Sequence, residues 1–193
     1  MLLTMDLLTK VKETAAACPF FEYGYVPLKQ ARSDPWVREL CEQNTCRQYG
    51  ASWACPPAVG TLEECQARVQ SYDAMLLFSR RYTLCDSFDF ESMAAGMQDF
   101  KRGVDDFQQK LDEFLSGYLL LANEGCGRCP TCTYPSAPCR FPHQLHPSLE
   151  GYGFLVKELA DAAGMHYHNG PLTVTYFGAL LFSLPPAPEK APL

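Results

Sequence analysis

Four closely spaced cysteines are the feature that most restricts how this chain can fold. They are Cys126, Cys129, Cys132 and Cys139, and the first three are each separated by two residues. Thiolates at this spacing can turn toward one centre, as they do in iron–sulfur cubanes. Because Pro130, Pro135 and Pro138 are incompatible with a helix, the segment at about 126–142 is predicted to be a stiff metal-binding loop.

A second cysteine group lies in the N-terminal third of the chain and consists of Cys41, Cys46 and Cys55. Cys55 precedes Pro56-Pro57, and a cysteine followed by proline is typical of ferredoxin ligands, because proline fixes the turn after the ligand. We therefore predict a second metal-binding loop at about 41–57. The other cysteines are predicted to be small core residues; they are Cys18, Cys65 and Cys85.

Zinc is the main alternative to iron. Structural zinc sites usually combine two paired-cysteine knuckles. Cys41 and Cys46 could form one loose knuckle, but the cysteine triplet that begins at Cys126 does not divide into two such knuckles. The seven motif cysteines favour one or two [4Fe–4S] clusters and fall one short of two complete four-cysteine sets. Histidine could supply a further ligand, and the candidates are His143, His146, His166 and His168. Arg128 and Arg140 flank cysteines and would offset thiolate charge.

Charge and hydropathy argue against several kinds of partner. The 193 residues include 16 basic and 22 acidic side chains, a net charge of -6, without a basic run, so neither nucleic acid nor an anionic membrane is expected to bind. No apolar stretch has the length of a transmembrane helix, and Asp6 and Lys10 interrupt the apolar N-terminus where a signal peptide would be uncharged. We expect a cytoplasmic protein with reduced thiols and a basic redox protein as partner.

Local patterns predict one α/β metal-binding domain over residues 1–184 and a disordered tail at 185–193. Helices are predicted over 2–16, 34–41, 61–70, 91–116 and 148–163, and strands over 74–79, 118–122 and 172–182. This order predicts a small parallel or mixed sheet of about three strands or more, flanked by helices. The loop at 126–142 would leave the carboxyl end of a strand, which is where ligands bind in open α/β sheets.

The sequences around both cysteine groups resemble a known family. They read CRQYGASWACPP and CGRCPTCTYPSAPCRFPHQLHPSLEGYG. In this combination of Tyr-Gly, Ser-Trp, Cys-Pro-Pro, a close cysteine triplet and Pro-Cys-Arg, the chain is similar over roughly 35–182 to the domain-of-unknown-function family numbered 2284, which is described as predicted metal-binding proteins. The resemblance implies a ligand set and no reaction; the matching positions are Cys41, Cys46, Cys55, Cys126, Cys129, Cys132 and Cys139.

Three functions stay open from the sequence. A fully cysteine-ligated cluster is typical of electron transfer or of a redox accessory protein, which is the leading interpretation. A cluster with an open iron could act as a Lewis acid in an enzyme. A structural zinc ion would instead stabilise a binding module by contributing to folding. The sequence specifies neither catalytic residues nor an oligomeric state.

Overall fold

The structure is a computed structural model that describes residues 2–123 and 125–185. Within these residues the strands are β1 (Glu22–Val26), β2 (Ala74–Thr83), β3 (Leu119–Leu121) and β4 (Thr173–Phe182). The α-helices of the same residues are α1 (Leu2–Ala16), α2 (Pro35–Glu42), α3 (Leu62–Gln70), α4 (Phe90–Asp112) and α5 (Val156–Ala163). The predicted tail at 185–193 lies outside the described residues except for Pro185.

The sheet is antiparallel, so the predicted parallel or mixed sheet is wrong. Its strand order is β1-β2-β4-β3, and every neighbouring pair is antiparallel. Since β2 and β3 both run opposite to β4, they point in the same direction, as expected of strands joined through a helix such as α4. They are not paired, however, because β4 lies between them. The edge strand β1, which the sequence analysis did not predict, adds a further antiparallel pair.

Local signals account for the helices. The N-cap of α2 is Asp34, whose carboxylate accepts a hydrogen bond from the Trp36 N–H at 2.9 Å. Thr61 and Glu64 form a reciprocal capping box at the start of α3. The helix predicted over 148–163 is divided into a short 3-10 helix (Glu150–Tyr152) and α5, because Gly153 between them has a left-handed φ of 76°.

Both faces of the sheet are covered by helices, which makes a three-layer α/β/α arrangement. On one face, Leu76 and Phe78 of β2 pack against α1 and α4. On the other face, Met75 and Leu77 pack against α3, α5 and the 3-10 helix. The central residues of the apolar stripe of α4 are fully buried; they are Phe100, Val104, Phe107 and Leu111. None of the described helices is long and apolar enough to cross a membrane.

Two glycines of α4 are expected to respond oppositely to alanine. A Cβ at Gly96 would lie 2.9 Å from Cγ of Tyr82, whose hydroxyl donates to Asp99, so the ring has little freedom to yield. At Gly103 the nearest atom, Cγ of Pro19, would be 3.4 Å away. We expect Gly96→Ala to lower the free energy of unfolding by about 1–3 kcal/mol. Gly103→Ala should raise it by up to about 1 kcal/mol, because alanine is the better helix former.

Urea denaturation of the two variants and the parent protein checks this prediction. Both substitutions add the same methyl group to the same helix, so the difference between them isolates the contact with Tyr82. Equal stabilisation by the two substitutions would contradict the packing described for Gly96.

Candidate metal centre

The two cysteine groups line two adjacent cavities next to the carboxyl end of β3. The first cavity, of about 500 Å³, is lined by Cys41, Cys46 and Cys55. The second, of about 390 Å³, is lined by Cys126, Cys129, Cys132 and Cys139. Gln48 lines both cavities and so lies at the boundary between them. The members of each sequence-predicted group therefore line a common cavity.

The length of β3 leaves the space for the first cavity. Leu121 at the end of β3 is paired with Ala179, whereas β4 extends back to Thr173. Thr175 and Phe177, in the part of β4 that β3 does not cover, line the cavity. The cysteine loop leaves β3 at its carboxyl end, as the sequence predicted.

Backbone hydrogen bonds connect the end of β3 to Cys55. The Leu149 N–H donates to the Ala122 carbonyl at 3.0 Å, and the Ser148 N–H donates to the Ala54 carbonyl at 2.9 Å. The Ser148 hydroxyl then lies 3.7 Å from Sγ of Cys55. These contacts fix Cys55, of which 4% is exposed, against Ser148 beside the end of β3.

The first cysteine group lies in an environment that favours neutral thiols. Burial, followed by the charges of Glu150 and Cys55, raises the pKa of Cys41 to about 11. Burial also raises the pKa of Cys55, although a hydrogen bond from the Gly125 N–H and another from Ser148 act in the opposite direction. Metal binding at this group must displace protons, so metal affinity should increase with pH.

Gly125 brings its backbone N–H to the sulfur of Cys55 because it lacks a side chain. Its φ is 60°, and a Cβ at this position would lie 2.6 Å from Oε1 of Gln48. An N–H directed at sulfur stabilises a thiolate or a thiolate–metal bond. This hydrogen bond connects the start of the second cysteine loop to the first cysteine group.

The second cysteine loop is held on a polar stripe of α4. The Lys101 ammonium donates to the Gly125 and Cys126 carbonyls, at 2.6 and 3.2 Å. Nη2 of Arg128 contacts both carboxylate oxygens of Asp105, at 2.6 and 2.8 Å. The guanidinium of Arg128 also interacts with the Cys126 side chain. The loop is thus anchored by two half-buried charges, Lys101 and Asp105, that lie on a single helix.

The first loop also supports the second. Nε1 of Trp53 donates to the Ala137 carbonyl at 3.1 Å, and its ring meets Tyr134 edge-on with centroids 4.9 Å apart. Within the second loop, the Phe141 N–H donates to Sγ of Cys139 at 3.4 Å, and Arg140 donates to the Thr131 carbonyl. The two cysteine loops therefore form one continuous surface.

The remaining cysteines differ in their surroundings. Cys65 and Cys18 are buried, with 0% and 7% exposed, which confirms the prediction of core residues. The prediction is wrong for Cys85, which is exposed in the turn before α4. Its N–H donates to Asp89, the N-cap of α4, so this segment serves as a helix start at the surface.

The histidines have partners other than thiols. Nε2 of His146 lies 2.9 Å from Oε1 of Gln108, and Nδ1 of His166 lies 2.7 Å from the Glu22 carboxylate. His143 and His168 are exposed. Across residues 2–123 and 125–185, no three His, Cys, Asp or Glu side chains are close enough to hold a single metal ion.

Two polar residues of the first cavity were missed by the sequence analysis. Asn123 follows β3 directly and is 6% exposed, and Glu150 begins the short 3-10 helix. A polar residue immediately after a buried strand was the available signal for Asn123. Glu150 had no such signal, because only the tertiary fold brings it to Cys41, whose Sγ lies 3.8 Å from its carbonyl oxygen.

Comparisons with known proteins agree with metal binding. A search of curated proteins and a search of solved structures each give no match. The family model described as predicted metal-binding protein (DUF2284) matches residues 25–182. The match extends from the end of β1 through β4 and includes both cysteine groups. The chain therefore belongs to the DUF2284 family of predicted metal-binding proteins.

Proposed function

We propose that this protein binds two [4Fe–4S] clusters, one in each cysteine cavity, and acts in electron transfer or as a redox accessory protein. The observation that carries the proposal is the separation of the cysteines into two cavities. The second cavity offers a complete set of four thiols in Cys126, Cys129, Cys132 and Cys139. The first offers three thiols, from Cys41, Cys46 and Cys55.

The donor set and its hydrogen bonds fit iron–sulfur clusters. Thiolates are the usual protein ligands of such clusters, and hydrogen bonds to sulfur help to set their reduction potential. The N–H groups of Gly125 and Phe141 donate to the sulfurs of Cys55 and Cys139, one in each group. When bound, the clusters would supply one-electron redox chemistry.

The arrangement of the ligands favours clusters over zinc. A structural zinc ion requires four ligands around a single atom, with sulfurs at about 2.3 Å. In a cubane each cysteine binds a different iron, so the sulfurs do not need to meet at one point. In the described part of the chain no three candidate ligands meet in this way, although seven cysteines line the two cavities.

The charge of the chain suits a redox partner with a basic surface. The net charge is -6, and opposite charges on a partner would steer the two proteins together. Pro130 and Thr131 of the second loop are exposed, so a partner could approach this cavity. A cytoplasmic location remains part of the proposal, because it would keep the thiols reduced.

The incomplete thiol set of the first cavity favours a second function, catalysis at an open iron. Three cysteines leave one position of a cubane without a protein thiol. Such a position could take a small molecule, and the first cavity has space beside its cysteines. A cluster-dependent enzyme is therefore the second candidate.

Metal analysis of protein purified without oxygen tests the proposal. We expect about eight irons and about eight sulfides per chain, which are the contents of two cubanes, and an iron–sulfur absorption spectrum. About four of each would reduce the proposal to one cluster. Stoichiometric zinc without sulfide would overturn it and leave a structural metal-binding module.

A further inference from the structure

Helix α2 exposes two large apolar side chains next to the first cavity. Trp36 is 52% exposed, and Leu40, one helical turn later, is exposed as well. Residues four apart lie on the same face of a helix, so the two side chains are neighbours. Val37, which is buried, and Cys41, which is half-buried, line the first cavity together with Leu40. The exposed pair therefore forms an apolar surface at the rim of this cavity.

Acidic side chains lie beside this apolar pair. Glu39 and Glu42 of α2 are both exposed. The basic residue of the same helix, Arg38, is half-buried and donates to two backbone carbonyls, so its guanidinium is turned toward the body of the protein. The helix thus presents an acidic surface with an apolar centre to the solvent. We call it the α2 surface, and it consists of Trp36, Glu39, Leu40 and Glu42.

The two cysteine cavities differ in charge. Among the described residues that line the first cavity, Glu150 is acidic and none is a lysine or an arginine. The second cavity is instead lined by three arginines, which are Arg47, Arg128 and Arg140, and of these Arg128 is paired with Asp105. A partner with a basic surface is therefore favoured at the first cavity over the second, because its charges complement only the first.

A second copy of this chain is a poor occupant of the α2 surface. In a symmetric dimer a surface packs against itself, so Glu39 and Glu42 would be brought toward the same residues of the other copy. Like charges that meet across an interface are costly. A basic partner instead pairs with these carboxylates, while an apolar centre on the partner packs against Trp36, a residue type that is enriched at interfaces.

We propose that a redox protein with a basic rim around an apolar centre docks on the α2 surface. Interfaces between redox partners are small, so an eight-residue helix can supply the centre of one. A partner docked there covers the rim of the first cavity. The inference rests on the proposed function in naming a redox protein as the partner. The location of the docking site depends only on apolar and charged side chains that are not metal ligands.

Titration of ¹⁵N-labelled cytochrome c with the full-length, anaerobically purified protein tests the inference. Cytochrome c is the probe because it is a basic one-electron carrier. At low ionic strength we expect saturable changes in the amide spectrum of cytochrome c. In about 0.5 M salt the binding should be weaker by at least about tenfold, since salt screens exposed charges.

A pair of charge reversals locates the contact. The double variant Glu39→Lys/Glu42→Lys should weaken binding of cytochrome c by about tenfold or more. The matched control is Asp6→Lys/Glu13→Lys, which changes the net charge by the same amount at two exposed positions of α1. Helix α1 covers the opposite face of the sheet from the 3-10 helix that α2 contacts. The control should therefore weaken binding much less.

An apolar substitution tests the centre of the surface. Trp36→Ala should weaken binding of cytochrome c by about fivefold or more, because buried tryptophans contribute strongly at interfaces. The control is Phe88→Ala, which removes an aromatic ring that is 77% exposed in the turn before α4 and lines neither cysteine cavity. This variant should bind as the parent protein does.

The inference is overturned if cytochrome c does not bind saturably, if the two double variants weaken binding equally, or if Trp36→Ala leaves binding unchanged. Sedimentation of the parent protein and of Trp36→Ala tests the other occupant. A dimer that this substitution dissociates would assign the α2 surface to a second copy of the chain and overturn the inference.

Iron and sulfide are measured on the same samples, which separates this inference from the proposed function. Iron-loaded protein whose binding of cytochrome c does not depend on the α2 surface contradicts only the docking site. Protein without clusters that still binds cytochrome c through the α2 surface contradicts only the clusters.

Discussion

Cys55→Ala is expected to remove about half of the bound iron and sulfide and to leave the other half in place, because one of two cubanes would be lost. Cys55 belongs to the first cavity, whereas the four-cysteine set that lines the second cavity does not include it. Cys129→Ala should remove the other half for the same reason. Iron, sulfide and absorption measurements on the two variants, purified without oxygen, check the prediction. A single cluster shared by both groups would instead be lost completely in either variant.

Cys65→Ala is the matched control for Cys55→Ala. Both cysteines are buried, with 0% and 4% exposed, and the same atom is removed. The Cys65 thiol contacts the Val59 carbonyl at 3.6 Å and lines neither cysteine cavity. This variant should keep its full iron content and lose about 1 kcal/mol of stability. Full iron in Cys55→Ala, or an equal loss of iron in Cys65→Ala, would contradict the assignment of the first group.

The elements that the sequence predicted correctly depend on local signals. The caps at Asp34 and Thr61 and the apolar stripe of α4 each act within a few residues, so their pattern is visible without knowledge of the tertiary fold. The strand order depends on distant parts of the chain. β4 comes last but pairs with both β2 and β3, and no local pattern indicates that it lies between them. The strand β1 has only five residues and includes Gly24, which weakens its strand pattern.

The candidate site likewise combines features that local sequence predicts with features that depend on the tertiary fold. The spacing of the cysteines predicted two loops, and the structure places the members of each loop around one cavity. The supporting residues are distant in sequence from the thiols. Lys101 and Asp105 belong to a polar stripe of α4, which in a sequence is indistinguishable from a solvent-exposed face. Only the fold shows that this stripe anchors the second cysteine loop.

The network that anchors the second loop also contains a buried histidine with an unusual pKa. Burial lowers the pKa of His146 from 6.5 to about 4, even though the Asp105 carboxylate favours the charged form, and the positive charges of Arg128 and Lys101 add to the effect of burial. Gln108 donates through Nε2 to the His143 carbonyl, so its Oε1 accepts from Nε2–H of a neutral His146. Protonation would place a second proton on Nδ1, which lies 3.9 Å from Asp105, beyond hydrogen-bond distance.

His146 is therefore expected to make the fold less stable as the pH falls from 6.5 toward 4. The unfolded chain binds a proton near pH 6.5, and the folded protein does so only near pH 4, so the contribution of this side chain is complete above pH 6.5 and is lost below it. The difference between the two pKa values corresponds to about 3 kcal/mol.

Urea denaturation of the parent protein and of His146→Leu across this pH range measures the effect. The variant loses the hydrogen bond to Gln108 at every pH, so its stability at a single pH is not informative. The informative quantity is the slope of the free energy of unfolding against pH, which should be shallower than in the parent protein. The control is His143→Leu, which changes an exposed position three residues away and leaves the proposed cysteine ligands unchanged. This variant should keep the slope of the parent protein. Parallel curves for the parent protein and His146→Leu would show that His146 does not titrate differently on folding.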